Sequence, residues 1–311
     1  MNSLRIAVIG VGYLGKFHAQ KLAQMPNVSL VGIADLDIEK AKALAAEHHC
    51  EAVADYHELL PKIDAAVIVV PTRFHFDVAM TCLQKNLHVF IEKPITTTVE
   101  EADILIKTAK EKNCLIQVGH LERFNPAIIG ILPFLNNPLF IESHRIAPFT
   151  PRGTDVNVIL DLMIHDIDLI CHLVKSKISD IRASGSPILS NEIDIANARI
   201  EFENGCVANV TASRAGTKTE RSMRLFQADG YFSINLHEKT ASIYRKGDGE
   251  IFPGIPNIQK ESVSFDKGDA IYAELSEFTS AIREHRSPAV TGIDGCYALD
   301  IAEKITKILE K

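Results

Sequence analysis

The chain has 311 residues, 46% of them hydrophobic and 23% charged, with a formal net charge of −7. That length predicts about two domains of an ordinary soluble protein, and the acidic balance gives no electrostatic reason to expect nucleic acid or an anionic membrane as partner. No apolar run approaches the ~20 residues needed to span a bilayer, and Met1–Arg5 passes straight into a strand too short for the core of a signal peptide. The six cysteines are scattered without a Cys-x-x-Cys pair, which fits a reduced, cytoplasmic setting better than a disulfide framework.

Leu4–Ile9 reads as a buried strand, and Gly10-Val11-Gly12-Tyr13-Leu14-Gly15 follows it, ahead of a helix over Lys16–Met25. This is Gly-x-Gly-x-x-Gly with a strand before it and a helix after it, the context that gives the motif its meaning. Gly10 permits the tight turn, Gly12 lets a pyrophosphate approach the backbone, and Gly15 lets helix and strand pack closely. The helix N-terminus offers free N–H groups and a positive dipole end to the phosphates. A second strand, Val28–Ala34, ends in Asp35. A carboxylate there accepts hydrogen bonds from the ribose hydroxyls of adenosine and repels a 2′-phosphate, so NAD is expected in preference to NADP.

Helices over Leu36–His49, Arg73–Lys85 and Val99–Lys112 alternate with strands Ala65–Val70, Leu87–Ile91 and Leu115–Val118. Such alternation predicts right-handed βαβ units and a parallel sheet. The strand ends, at Gly10, Asp35, Pro71-Thr72, Glu92-Lys93-Pro94 and Gly119-His120, converge on one sheet edge. Lys93 is thereby expected at the rim of a nucleotide crevice, held out of the helical region by Pro94.

Beyond Gly119 the pattern changes. A short helix over Phe124–Leu135, broken by Pro133, and a strand over Leu139–Ile146 precede a long helix, Asn157–Val174. Asn204-Gly205 and Asp229-Gly230 each lie between runs of period two, Ile195–Phe202 with Val207–Ser213 and Met223–Ala228 with Tyr231–Asn235. Both read as antiparallel hairpins. Thr240–Tyr244 is a further strand, Lys246–Gly268 a patternless loop, and Ala270–Arg286 and Ile293–Glu310 two closing helices. The expected fold is therefore α/β plus α+β: a Rossmann dinucleotide-binding domain over 1–120, then an open, mostly antiparallel sheet domain over 121–311. The final helices are free to pack back on the first domain. A broad sheet with two unlike faces points to a homodimer or homotetramer through that sheet.

The long helix is apolar nearly all round, yet Asp161, His165, Asp168 and His172 form one polar stripe. A self-satisfied polar network, a metal site and general acid–base chemistry are three readings of it. A metal is not expected, because no third and fourth ligands stand out. Acid–base chemistry beside a nicotinamide is favoured for Asp161 and His165, whose one-turn spacing lets the carboxylate orient the imidazole. Asp168 and His172 are weighted toward a structural network.

Gly10–Gly15 with Phe17-His18-Ala19, Pro71-Thr72-x-x-His75, Glu92-Lys93-Pro94, Asp161-x-x-x-His165-Asp166 and Ala289–Gly295 together resemble the glucose–fructose oxidoreductase, inositol dehydrogenase and rhizopine-catabolism family (Gfo/Idh/MocA) over essentially the whole chain. The resemblance implies hydride transfer between a sugar carbon and nicotinamide, with Lys93, Asp161 and His165 as the catalytic set. It also implies cofactor contacts from Gly10, Gly12, Tyr13, Leu14, Gly15, Asp35, Pro71, Thr72, His75, Glu92 and Lys93. Gly119–Pro126 and Arg152–Asn157 are similar to the members that oxidise the C3 hydroxyl of UDP-N-acetylglucosamine, with Arg123, Arg152, Asp155, Asn157 and His165 toward the substrate. Where many relatives carry Gly-Gly before the catalytic helix, this chain has Val156-Asn157-Val158, which implies a differently shaped pocket wall. A pyrophosphate-bearing substrate favours guanidinium groups, for which Arg123, Arg145, Arg152 and Arg214 are candidates. An inositol or free-sugar dehydrogenase is the alternative within the family, and a non-catalytic NAD-binding regulator the alternative outside it.

Overall fold

The computed structural model describes residues 3–150, 156–265 and 268–310, and the chain divides into two compact units, one of residues 1–121 with 269–299 and one of 122–268 with 300–311. In the first, β1 (Leu4–Ile9), α1 (Gly15–Gln24), β2 (Val28–Ala34), α2 (Ile38–His48), β3 (Glu51–Val53), β4 (Ala65–Ile68), α3 (His75–Gln84), β5 (His88–Ile91), α4 (Val99–Lys112) and β6 (Ile116–Val118) follow one another. The sheet order is β3-β2-β1-β4-β5-β6, with every pair parallel. This is the doubly wound Rossmann order, whose reversal between β1 and β4 marks where ligands bind, outside the carboxyl ends of the strands.

Local chemistry sets the helix ends. Asp37 caps α2 by accepting from the Lys40 N–H, and Thr98 caps α4 by accepting from the Glu101 N–H, while the Glu101 carboxylate reaches back to Thr97. The short edge strand β3, which has only three residues, escapes the periodicity that revealed its neighbours.

The second unit opens with α5 (Pro126–Ile131) and β7 (Phe140–Pro148). A π-helical turn, Ile159–Met163, then runs into α6 (Ile164–Val174), followed by β8 (Ile178–Ser186), β9 (Ile195–Phe202), β10 (Val207–Gly216), β11 (Glu220–Gln227), β12 (Gly230–Asn235), β13 (Thr240–Phe252) and β14 (Ile255–Ser264). The eight strands order as β14-β13-β12-β11-β7-β10-β9-β8. All pairs are antiparallel except β7 with β10.

Both hairpins form in the expected pairing, but the second turn is Ala228-Asp229, with Gly230 already paired to Gln227. The expected loop over Lys246–Gly268 is instead largely the hairpin β13–β14, turning at Pro253-Gly254 where Gly254 has φ +81°. Its outer part is exposed on both faces, with ladder irregularities between Lys246 and Phe252. With no buried face there is no alternation to read. Nor is the helix over Asn157–Val174 α-helical throughout: its first turn is π, a departure common at functional positions.

Two final helices, α7 (Ala270–Glu284) and α8 (Gly292–Leu309), close the chain. Leu275, Phe278 and Ile282 of α7 join Ile6, Val8, Leu22, Ile33, Val67 and Phe90 in the core of the first unit. Between the helices, Thr291 bridges to Gln117, and the Val118 N–H donates to the Val290 carbonyl, which extends the sheet edge beside β6. Among the described residues no helix is long and apolar enough to cross a membrane.

Candidate functional site

In the first unit the glycine loop has the geometry that its spacing predicts. Gly10 has φ +92°, and a Cβ there would meet the Val69–Val70 backbone at 2.8 Å. At Gly15 a Cβ would come within 2.0 Å of the Gly10 carbonyl oxygen, so α1 can start against the loop only with glycine. A Cβ at Gly12 would meet nothing within 4 Å, which leaves this backbone open to a pyrophosphate.

Asp35, at the end of β2, is half-buried; its Oδ2 accepts from the Val11 N–H at 2.8 Å and its Oδ1 from the Asp37 N–H at 2.9 Å. The carboxylate therefore ties loop to strand and keeps lone pairs for ribose hydroxyls. These features fit a dinucleotide. Tyr13 is exposed beside the loop, edge-on to Phe17, with the Lys16 ammonium over both rings; Leu14 is the residue from which α1 starts.

Pro71 and Thr72 open a 3-10 turn that leads into α3. His75, the first residue of α3, is buried, with Nε2 2.9 Å from the Val70 carbonyl and Nδ1 2.8 Å from the Pro94 carbonyl. Burial lowers its pKa below the ordinary imidazole value, against the pull of those carbonyls. The ring joins the end of β4 to the turn after β5. In that turn Lys93 is half-buried, its peptide to Pro94 is cis, and its backbone N–H donates to Glu92 Oε2 at 3.2 Å.

Two residues given no role by the sequence reading stand next to Glu92. His18 Nε2 lies 2.7 Å from Glu92 Oε1, and Glu274 of α7 is buried in the same cluster. Glu274 did carry a signal. Ile271, Leu275, Phe278 and Ile282 are the apolar stripe of α7, and Glu274 occupies a stripe position where a hydrophobe belongs.

In the second unit Asp161 lies within the π turn and His165 is the second residue of α6, both half-buried. The lower half of the polar stripe is structural: Arg123 grips Asp168 bidentately, at 2.8 and 2.5 Å, and contacts His172 Nδ1 at 3.3 Å. Arg123 was expected to face the substrate, yet its side chain is only 7% exposed. Arg145 is equally internal, bound to Asp166 at 2.6 Å and Glu122 at 3.0 Å, and Arg214 binds Asp194 at 2.6 Å. A buried guanidinium needs carboxylate partners to offset its desolvation, and each of these three has them. The Asn157 side chain accepts from the Leu160 N–H and donates to Thr306, so it caps the helix. Arg152 and Asp155 lie outside the described residues.

Known proteins resemble the chain in both of its units. A family model described as oxidoreductase family, NAD-binding Rossmann fold, matches residues 4–120, and one described as GFO/IDH/MocA C-terminal domain matches residues 143–233. UDP-N-acetylglucosamine 3-dehydrogenase of Acidithiobacillus ferrooxidans is 40% identical over 311 residues, covering 100% of this chain and 98% of that protein. A solved structure of that enzyme covers the same shares, with a TM-score of 0.94. The scyllo-inositol 2-dehydrogenase (NAD(+)) of Bacillus subtilis is 28% identical, covering 96% of this chain and 92% of that protein.

Proposed function

We propose, from the premise that the chain belongs to the Gfo/Idh/MocA oxidoreductases and is an NAD-binding dehydrogenase, that it oxidises the C3 hydroxyl of UDP-N-acetylglucosamine. The observation that carries the substrate is the full-length likeness to the Acidithiobacillus ferrooxidans enzyme. The backbone of Gly10–Gly15 and the N-terminus of α1 hold the pyrophosphate of NAD, Asp35 holds its adenosine ribose, and Tyr13, Leu14, Pro71, Thr72, His75 and the Glu92 backbone border it. When bound, the nicotinamide supplies the two-electron acceptor for the hydrogen on C3.

The chain's own residues manage the proton. His165 takes it from the hydroxyl, and Asp161 orients the imidazole and favours its charged form. Lys93 donates a hydrogen bond from Nζ to the same oxygen and stabilises the alkoxide character that develops there. With Arg123, Arg145 and Arg214 engaged by carboxylates and Asn157 engaged as the helix cap, we assign Arg152 to the substrate pyrophosphate and the Asp155 carboxylate to sugar hydroxyls.

The test is turnover. Protein with NAD and UDP-N-acetylglucosamine is expected to raise absorbance at the NADH wavelength, while myo-inositol and free N-acetylglucosamine give little. Turnover of inositol alone would replace the nucleotide sugar with the alternative substrate class. Lys93→Ala is expected to lower kcat about 10²- to 10⁴-fold with NADH affinity nearly kept.

We also infer a homodimer or homotetramer through the second sheet. The face opposite its buried residues carries a contiguous aromatic row, Phe140, Phe226, Tyr231 and Tyr244, with neighbouring centroids 6.0, 4.7 and 5.1 Å apart. Light scattering that returned the mass of one chain would remove this part of the reading. A cytoplasmic setting is supported by six free cysteines.

A further inference from the structure

The Glu92 carboxylate is held on two sides within the first unit. Its Oε1 lies 2.7 Å from Nε2 of His18, which is fully buried, and its Oε2 accepts the Lys93 backbone N–H at 3.2 Å. Gly119 makes room for it: a Cβ there would stand 3.1 Å from both the Glu92 carboxyl carbon and Oε2. From α7 comes Glu274, 1% exposed, and one ligand-type atom from each of His18, Glu92 and Glu274 lies within 4.8 Å of the others. Glu274 Oε2 and His18 Nδ1 have no hydrogen-bond partner among the described residues. Packing alone has no use for two carboxyl groups and an imidazole in a core otherwise built from Phe90, Phe278 and Leu275.

Two carboxyl groups at this separation, out of water, do not both ionise. Burial, then the charges of Glu92 and of Asp269, push Glu274 well above the carboxylate range, which favours its neutral form. Burial pushes Glu92 up as well, but the hydrogen bond and charge of His18 and the charge of Lys93 outweigh it and hold this carboxyl below its ordinary value. Besides these groups the cluster is faced by Asp269, at the N-cap of α7, whose charge is matched by Lys21 of α1 at 2.8 Å. The two shifts run in opposite directions, favouring the proton on Glu274 and the negative charge on Glu92.

We propose that His18 is a positioning residue for Lys93, acting through Glu92: it fixes the Glu92 carboxylate in place, and that carboxylate fixes the Lys93 backbone and favours its ammonium. The inference rests on the reading of Lys93 as donor to the reacting oxygen. His18 acts on the group that meets the substrate and not on the substrate itself.

The experiment compares wild type with His18→Leu, His18→Gln and Glu92→Gln. In steady state, His18→Leu is expected to lower kcat about tenfold, with NADH affinity and KM within about twofold, and His18→Gln, which keeps an N–H donor, to recover most of the loss. In the absence of substrate, the rate of reductive methylation of Lys93, followed by peptide mass spectrometry, is expected to rise severalfold in His18→Leu and Glu92→Gln, because an amine deprived of its anion is more often neutral. Should His18→Leu fail to fold, His18→Gln and Glu92→Gln still decide the question. If wild type turns over no sugar, the functional reading fails, and the methylation rates alone decide the positioning role. Equal methylation in all four proteins would overturn the proposal. So would losses in kcat and NADH affinity by the same factor, which mark a merely structural histidine. One equivalent of zinc bound by wild type and lost in His18→Leu, with Lys93 reactivity unmoved, would overturn it in favour of a metal-holding cluster.

Discussion

Buried acids are treated in opposite ways in the two units. In the second, Glu122, Asp166, Asp168 and Asp194 each face a guanidinium, from Arg145, Arg123 or Arg214. In the first, Glu92 and Glu274 face a histidine, a lysine and each other. A guanidinium stays charged at any accessible pH, so an acid paired with it is locked as an anion. A cluster without arginine can keep one of its acids neutral. The polar interior of the second unit therefore ties its helix and sheet together through fixed cations, whereas that of the first holds an acid that favours its neutral form.

Arginine removal should expose this difference most strongly. Arg145 serves two acids, and Ser143 and Asn125 complete the same network. Arg145→Met leaves two buried carboxylates uncompensated and is expected to cost about 3–5 kcal/mol in urea unfolding. Arg145→Lys should restore little, because an ammonium cannot fork between Asp166 and Glu122. A loss below about 1 kcal/mol would break the comparison at its strongest point.

Acid titration comes next in size. The Asp194 carboxylate accepts from the Ile188, Leu189 and Ser190 N–H groups and from Arg214. Burial pushes its pKa up, but these donors outweigh that and hold it far below the carboxylate range. A carboxyl depressed in the folded state contributes stability that is present above its unfolded value. That stability is lost as pH falls below the unfolded value toward the folded one. Asp194→Asn is expected to destabilise by about 1.5–3 kcal/mol at pH 7, the range for hydrogen bonds to a charged group. Its deficit should shrink toward pH 3, and a deficit independent of pH would show that Asp194 is not ionised.

What the sequence made legible is what local geometry dictates. Gly10, Gly15 and Asp35 are fixed by a turn, a helix start and a strand end within one βαβ unit, so their spacing alone located them. Alternation likewise revealed β9 to β12, because each has one buried face. It missed β13–β14 beyond Lys246, where neither face is buried, and it passed over the π turn because a helical stripe drifts only gradually when one turn widens. The arginines were harder. Residue type announced a guanidinium, but only the fold decides whether it meets a substrate phosphate or Asp168. The neighbours of Glu274 were furthest out of reach: an acid in the apolar stripe of α7 stands out, but His18 and Glu92 lie some 180 residues or more earlier in the chain.

The smallest expected effect has the opposite sign to that of Asp194, which makes it the sharpest check on the difference between the units. Glu274 is raised by burial, Glu92 and Asp269, so the folded protein holds its proton at a pH where the unfolded chain has released it. Stability from this group is fully present below the unfolded value and declines as pH rises from there toward the folded value. Glu274→Gln puts a neutral amide in place of a neutral acid and removes that decline. Its Tm is therefore expected to match wild type near pH 4 and to exceed it modestly at pH 8. An arginine-paired acid cannot behave this way, because neutralising it lowers Tm at neutral pH. If Glu274→Gln lowers Tm at pH 8, Glu274 is ionised and matched by a cation, and the first unit's interior is as closed as the second's.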